Sequence, residues 1–205
     1  SRDVRVLVVG NPCNTNAYIA MRNAPDLKRE SFSALMRLDQ NRAMARVAEK
    51  LEAPVSGIEQ VFVWGNHSNT MYPDIRFLRY KGHRLADQFD PQWQEEFIKN
   101  VATRGGQIIK ARGASSAASA ASAALDHMRD WILGSQGKCC TMAVPSDCSY
   151  GIPEGLVFGF PCLCPGEARY QIISNMPMTQ EVRRRLEITR DELINEARAV
   201  ADLLP

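Results

Sequence analysis

A chain of 205 residues that is 45% hydrophobic and 23% charged can bury a core of its own, and one domain, or one domain plus a fragment, accommodates it. The net charge is +2, and the dense basic run Arg183-Arg184-Arg185 is followed by Glu187, Asp191 and Glu192 in the same helical stretch, which describes a solvated face and speaks against a nucleic-acid-binding stripe. No run reaches the roughly 18 apolar residues of a membrane span, and Ser1 to Arg5 carry no signal-peptide pattern, so a soluble cytoplasmic protein is expected.

Elements of both kinds alternate along the chain. Val4 to Val9 is a nearly continuous apolar run ending at Gly10-Asn11-Pro12, which reads as a buried parallel strand whose carboxyl end opens into a loop, the usual place for a ligand in an open α/β sheet. A short helix is expected over Ala17 to Arg22, a connector to Glu30, and one long helix from Ser31 to Leu51. Ile58 to Trp64 reads as a strand, and Ile75 to Tyr80 with Arg84 to Ala86 as a hairpin around Lys81-Gly82-His83. Asp90-Pro91 starts a helix expected to run to about Thr103, with Asp as the cap and Pro at its first position. The Ala/Ser-rich segment Ser115 to Leu133 is a helix closely packed by small residues. Strands follow at about Cys139 to Val144, Leu156 to Phe160 and Tyr170 to Ser174. The last helix, from about Thr179 to Leu204, carries Val182, Leu186, Leu193, Ala197, Val200 and Leu204 on one stripe.

Six cysteines, at 13, 139, 140, 148, 162 and 164, lack the paired C-x-x-C spacing or histidine partners of a zinc site, so no metal is expected. Buried free thiols are the simpler reading. His83, in a turn, and His127, in a helix, look structural. His67 differs, because it follows a strand end and a glycine in Trp64-Gly65-Asn66-His67-Ser68. Leu38-Asp39-Gln40-Asn41-Arg42 supplies a carboxylate with an arginine three residues on, and in one long helix Leu35, Asp39 and Arg42 would share a face. An imidazole, a carboxylate to fix its tautomer and a guanidinium to grip an anion are the parts of a proton-accepting site for an anionic alcohol. No G-x-S-x-G elbow supports a serine hydrolase.

At these residues the chain resembles the malate dehydrogenase family, the cytosolic type most closely, within the wider lactate/malate dehydrogenase superfamily. The matching blocks are Gly-Asn-Pro-Cys-Asn-Thr-Asn (10 to 16), Leu-Met-Arg-Leu-Asp-Gln-Asn-Arg-Ala (35 to 43), Val-Trp-Gly-Asn-His-Ser (63 to 68), Ile-Lys-Ala-Arg (109 to 112), Ser-Ser-Ala (115 to 117) and Ser-Tyr-Gly-Ile-Pro (149 to 153), in the family order. The resemblance implies an α/β fold: the family's C-terminal catalytic domain, a mixed or antiparallel sheet with packed helices, over residues 23–205. Before it, residues 1–22 would be the remnant of a Rossmann-type dinucleotide-binding domain.

By the same resemblance His67 is the catalytic proton acceptor and Asp39 the carboxylate that orients it. Arg42 would hold the substrate carboxylate, and Asn11 would contact both substrate and nicotinamide. Val9, Leu35, Leu38 and Ser116 would line the nicotinamide pocket of an NAD cofactor. Malate and oxaloacetate are the implied substrates and a homodimer the implied assembly. The family's Gly-rich phosphate loop and the mobile loop with two further arginines have no counterpart in this sequence, so a separate chain could carry the Rossmann domain. The ending Leu204-Pro205 lacks the cysteine-bearing tail of the NADP type and favours NAD. A non-catalytic homologue serving association or as a scaffold is the other reading, and the intact set Asn11, Asp39, Arg42 and His67 argues against it.

Overall fold

In the computed structural model, residues 3–205 are described; residues 1 and 2, which open both the 1–22 segment and the stretch searched for a signal peptide, lie outside the described residues. The apolar run near the start forms β1 (Val6–Val8), and α1 (Cys13–Arg22) begins directly after a cis Asn11–Pro12 bond, four residues before the helix expected at Ala17. The chain then returns as β2 (Phe32–Ala34), parallel to β1 with Val6 opposite Phe32 and Val8 opposite Ala34. This β2 corrects the expectation of one helix from Ser31 to Leu51. Phe32 to Met36 are all buried, and a continuous buried run has no periodicity to separate strand from helix. Pairing with β1 settles it, and Leu35 N–H continues the pattern by donating to Val8 O at 2.9 Å. Only after Met36 does α2 (Arg37–Lys50) start. Leu35 therefore precedes the helix, and does not share a helical face with Asp39 and Arg42.

The strand expected over Ile58 to Trp64 is broken at Gln60, whose φ is +58°, into β3 (Ile58–Glu59) and β4 (Phe62–Trp64), which belong to different sheets. β4 pairs with β5 (Tyr72–Asp74), a strand the sequence pattern did not reveal because Pro73 sits at its centre. β3 pairs with β6 (Arg79–Tyr80), which turns through Lys81-Gly82 into β7 (His83–Arg84). Both turn residues have positive φ, +47° and +80°, as a two-residue hairpin of the right twist demands. The hairpin exists but is shorter than expected.

Asp90 caps α3 (Pro91–Arg112) by accepting from Trp93 N–H at 2.8 Å. The helix runs nine residues beyond the expected end at Thr103, straight through Gly105-Gly106. Two interior glycines cost it about 2 kcal/mol, offset by burial of Phe97 and Val101 against α2 and β5, and Gly113 ends it in the left-handed conformation. After α4 (Ala118–Leu133) come β8 (Cys139–Pro145), β9 (Val157–Gly166) and β10 (Arg169–Ile172). β9 continues past Phe160 and through Pro161, whose carbonyl still accepts from Ile173 N–H at 2.9 Å. The largest sheet among the described residues has the order β1-β2-β8-β9-β10, parallel only between β1 and β2. Thr179 caps the last helix, α5 (Gln180–Ala199), which stops before the expected Leu204. The fold is a mixed-sheet α/β domain. No helix among the described residues is long and apolar enough to cross a membrane.

Among the described residues, the two larger apolar clusters fill the space between layers. One gathers Val47, Val61, Leu78, Phe97 and Val101 beneath α2 and α3, and the other Trp64, Trp131, Phe158, Phe160, Leu186 and Leu193 between α4, the sheet and α5. All six cysteines are free; four are buried, whereas Cys139 is half-buried and Cys148 exposed.

Within the second region lies His127, 1% exposed, its ring edge-on to Trp131 and neither ring nitrogen hydrogen-bonded among the described residues. Burial, with the Arg37 charge adding to it, pushes its pKa down to about 3. From pH 6.5 down to about 3 the unfolded chain binds a proton that the folded chain refuses, so stability falls as pH falls. Urea unfolding at pH 7 and pH 5 is expected to show the wild-type chain losing about 2 kcal/mol more than His127→Met across that interval; equal losses would mean that His127 is protonated in the folded state.

Candidate active site

Asp39 sits in the first turn of α2 and is fully buried, and His67 lies on the loop that follows β4. The turn out of β4 requires Gly65. Its φ is +96°, and a Cβ there would lie 2.3 Å from the Thr189 side chain. The backbone then places His67 Nδ1 in a short hydrogen bond with Asp39 Oδ2. Arg42, one turn along α2, stands 3.5 Å from Asp39 Oδ1, an ion pair too long for a strong hydrogen bond. Asp39 Oδ1 has no hydrogen-bond donor among the described residues. Arg42 is thus held by charge while its planar fork stays free, and His67 Nε2 takes no hydrogen bond from the described residues.

The electrostatics follow from this packing. For His67, burial is the largest single effect and works against the charged ring, but the hydrogen bond and negative charge of Asp39 together exceed it, and the pKa is raised above its ordinary 6.5 despite opposition from Arg42. Asp39 thus favours the imidazolium relative to an ordinary histidine. Arg42 is lowered from 12.5, chiefly by burial, with Asp39 opposing and Arg104 contributing. Arginine nonetheless remains a cation. A cleft of about 660 Å³ opens on the Arg42 side, lined by Leu38, Asn41, Arg42, Arg46, Arg104 and Ser119 among others; His67 is not part of its lining.

Of the residues singled out in the sequence, Asp39, Arg42 and His67 come into direct contact. Leu35 and Leu38 pack together with Ala123 and Leu7 beside them. Val9, 46% exposed, and Asn11, also exposed, lie at and just beyond the carboxyl end of β1. Ser116 is half-buried in the loop before α4. Among the hydrogen bonds of the described residues, none joins Asn11, Val9 or Ser116 to the three central residues.

Other residues of the site were not legible in advance. Asn14, fully buried, accepts from His67 N–H at 3.0 Å and donates to Gly65 O at 3.3 Å and Val157 O at 2.9 Å, so it fixes the loop backbone. Its sequence signal is membership of the matching block 10 to 16, ahead of the helix expected at Ala17, with nothing there to mark it as buried. Gly105 brings α3 against α2, and a Cβ there would meet Arg42 Nη1 at 3.6 Å. Glu192, expected on a solvated face, instead turns toward the loop and accepts from Asn66 Nδ2 at 2.8 Å.

The family profile described as the lactate/malate dehydrogenase alpha/beta C-terminal domain matches residues 36–203. The chain belongs to the lactate/malate dehydrogenase family. Among solved structures, this dehydrogenase domain is similar to a malate dehydrogenase from Naegleria fowleri at 46% identity, covering 100% of this chain and 63% of that one, with a TM-score of 0.94. It is also similar to a lactate dehydrogenase from Trichomonas vaginalis, solved in complex with NADH and oxamate, at 36% identity, covering 98% and 63%, with a TM-score of 0.94. A malate dehydrogenase from Plasmodium falciparum, at 20% identity and a TM-score of 0.87, shares the fold. The domain spans 63% of the length of the first two structures.

The His67–Asp39 pair gives a direct prediction. In an NMR titration of ring-labelled histidine, His67 of the dehydrogenase domain should titrate above 6.5, and Asp39→Asn should bring it below the wild-type value, since burial would then act without an anion to offset it. By linkage, the pair stabilises the fold fully below pH 6.5, and that contribution fades as pH rises through the raised pKa. An unshifted His67 in Asp39→Asn would remove Asp39 as its partner.

Proposed function

We propose that this chain carries the proton-transfer and substrate-gripping part of an NAD-dependent malate dehydrogenase, which interconverts (S)-malate and oxaloacetate. The observation that carries the reading is the fully buried Asp39 bound to His67 Nδ1, with Nε2 open and Arg42 beside it. Arg42 would receive a substrate carboxylate in a two-pronged ion pair, which its unlocked fork permits. Asn11, at the mouth of the β1 loop, would hold the C2 oxygen. As malate is oxidised, His67 Nε2 takes the hydroxyl proton, and Asp39 stabilises the imidazolium that forms. In the reverse direction the same nitrogen returns the proton to the carbonyl oxygen.

When bound, NAD(H) accepts or supplies the hydride at C2. The residues present fit one wall for its nicotinamide: Val9 offers an exposed apolar side chain at the strand end, Leu35 and Leu38 pack nearby, and Ser116 adds a polar group. A complete cofactor site would need a dinucleotide-binding part, within one polypeptide or from another chain. A homodimer in the cytoplasm belongs to the same reading. Leu125 and Leu133 on α4, 73% and 75% exposed, are apolar surface that a second copy would cover.

Malate is preferred to lactate because the matching blocks are those of the cytosolic malate type and the identity is greater to the Naegleria enzyme, 46% against 36%. The Trichomonas lactate dehydrogenase keeps lactate as the second reading. NADH oxidation by the enzyme containing this chain, with the mass of every polypeptide recorded, is expected to be faster with oxaloacetate than with pyruvate by at least about tenfold, the equivalent of one well-formed charge contact. A preference for pyruvate would transfer the assignment to lactate. His67→Asn should lower turnover by about a hundredfold or more, and turnover near normal would exclude His67 as the base. Arg42→Lys should raise KM for the 2-oxo acid by about tenfold with a smaller change in kcat, because an ammonium cannot reproduce the two-pronged contact.

A further inference from the structure

The loop that presents His67 is gripped on its far side by side chains that no proton or substrate contact above employs. Asn66, 2% exposed, donates its backbone N–H to Thr189 Oγ1 at 2.8 Å. Its side-chain amide splits its two hydrogens between Glu192 Oε2 at 2.8 Å and Glu196 Oε1 at 2.9 Å. Glu192 also accepts from Ser68 Oγ at 2.5 Å and Thr70 Oγ1 at 2.6 Å, and Glu196 from Thr15 on α1. Gly65, Asn66 and His67 thus each have a backbone group tied down, by Asn14 on one side and Thr189 on the other.

We infer that Asn66, Thr189, Glu192 and Glu196 form a positioning clamp that sets the placement of His67 against Asp39 and substrate; the inference rests on the dehydrogenase reading of the site. The argument starts from cost. Two carboxylates brought from α5 to one amide must be partly desolvated, and an apolar patch of the same volume would hold two elements together at least as well. What apolar packing does not supply is direction. Hydrogen bonds to charged acceptors are short and angularly selective, and these fix the residue immediately before the base in both its side chain and its backbone. Proton transfer depends on such placement, since a displacement of about 1 Å can cost about a hundredfold in rate. The clamp also ties α1, the loop and α5 into one unit, because Asn14 and Thr15 are neighbours on α1, Asn14 gripping the loop and Thr15 donating to Glu196 of α5. Charged groups around His67 are Asp39 and Arg42 on α2, with Arg104 of α3 facing Arg42, and the Glu192–Glu196 pair behind the loop.

The test uses the enzyme that contains the full chain, with Thr189→Val, its conservative counterpart Thr189→Ser, and Glu192→Gln. Valine preserves the shape of threonine and removes the oxygen that accepts from Asn66 N–H at 2.8 Å and from Thr70 Oγ1 at 2.9 Å, both on the loop. In Thr189→Val and Glu192→Gln, kcat for the 2-oxo acid should fall about tenfold or more while KM stays within about twofold, because placement of the base and not substrate binding is disturbed. The primary isotope effect with NADH deuterated at the transferred position should rise as the chemical step becomes more limiting. His67, followed by NMR in the same proteins, should titrate lower than in the wild type as its contact with Asp39 loosens. Thr189→Ser should restore all three. The inference is overturned if both variants retain wild-type kcat, or if the lost activity matches lost folded protein with the isotope effect and the His67 titration unchanged. A wild-type enzyme that reduces neither oxaloacetate nor pyruvate would refute the dehydrogenase reading instead, and the His67 titration would still decide the clamp.

Discussion

Asp39 has no exposed surface, and a carboxylate taken out of water is costly unless charged or hydrogen-bonded partners stand ready. The chain provides His67 on one oxygen and the Arg42 cation near the other. Each partner comes with a local arrangement: His67 requires a left-handed glycine turn out of β4, and Arg42 follows Asp39 by three residues in α2, which begins only after β2 has paired with β1. The break between β2 and α2 is therefore part of the site. A helix running unbroken from Ser31 would have carried the carboxylate past a segment that must instead extend and pair with β1.

Polar side chains buried between layers keep those two elements in register. Gln40, the neighbour of Asp39, donates to Val61 O at 3.0 Å and accepts from Thr141 N–H at 2.8 Å, joining α2 to the approach to β4 and to β8. Thr141 Oγ1 in turn accepts from Val63 N–H at 3.0 Å. Gly65 and Gly159 exchange backbone hydrogen bonds at 3.1 and 2.8 Å, which brings the end of β4 against β9. Any side chain at Gly159 would strike Met36 Sδ at 2.6 Å. The loop bearing His67 thus rests on the central sheet, where packed interiors deform little.

What the sequence disclosed and what it hid divide along a physical line. Asp39 and Arg42, three residues apart, and His67 after a strand and a glycine stand in contiguous motifs whose chemistry is local, and the structure joins them as their residue types suggest. Long amphipathic helices such as α5 and capped starts such as Asp90-Pro91 were also legible, because period and capping are written in adjacent residues. Short strands were not. β2 and β5 are each three residues long, one uniformly buried and one centred on a proline, and only their partners define them. The same limit hid Asn14, Thr189 and Glu196, whose roles depend on residues dozens to more than a hundred positions away. Glu192 was misplaced for a related reason: the charged residues of α5 look alike in sequence, and only packing against the loop shows which of them turn inward.

The hydrogen bond between Thr15 and Glu196 spans 181 residues, and the loop holding His67 lies between its ends in the sequence. During synthesis at the ribosome, β1, α1, α2 and β4 emerge well before α5, so the segment bearing His67 is made long before its last supports. Contacts of such separation are paid for in loop-closure entropy before they return any stability, and they form late. A nascent chain that has assembled its central sheet still lacks half of what steadies His67. The hold on the His67 loop is accordingly complete only when α5 docks.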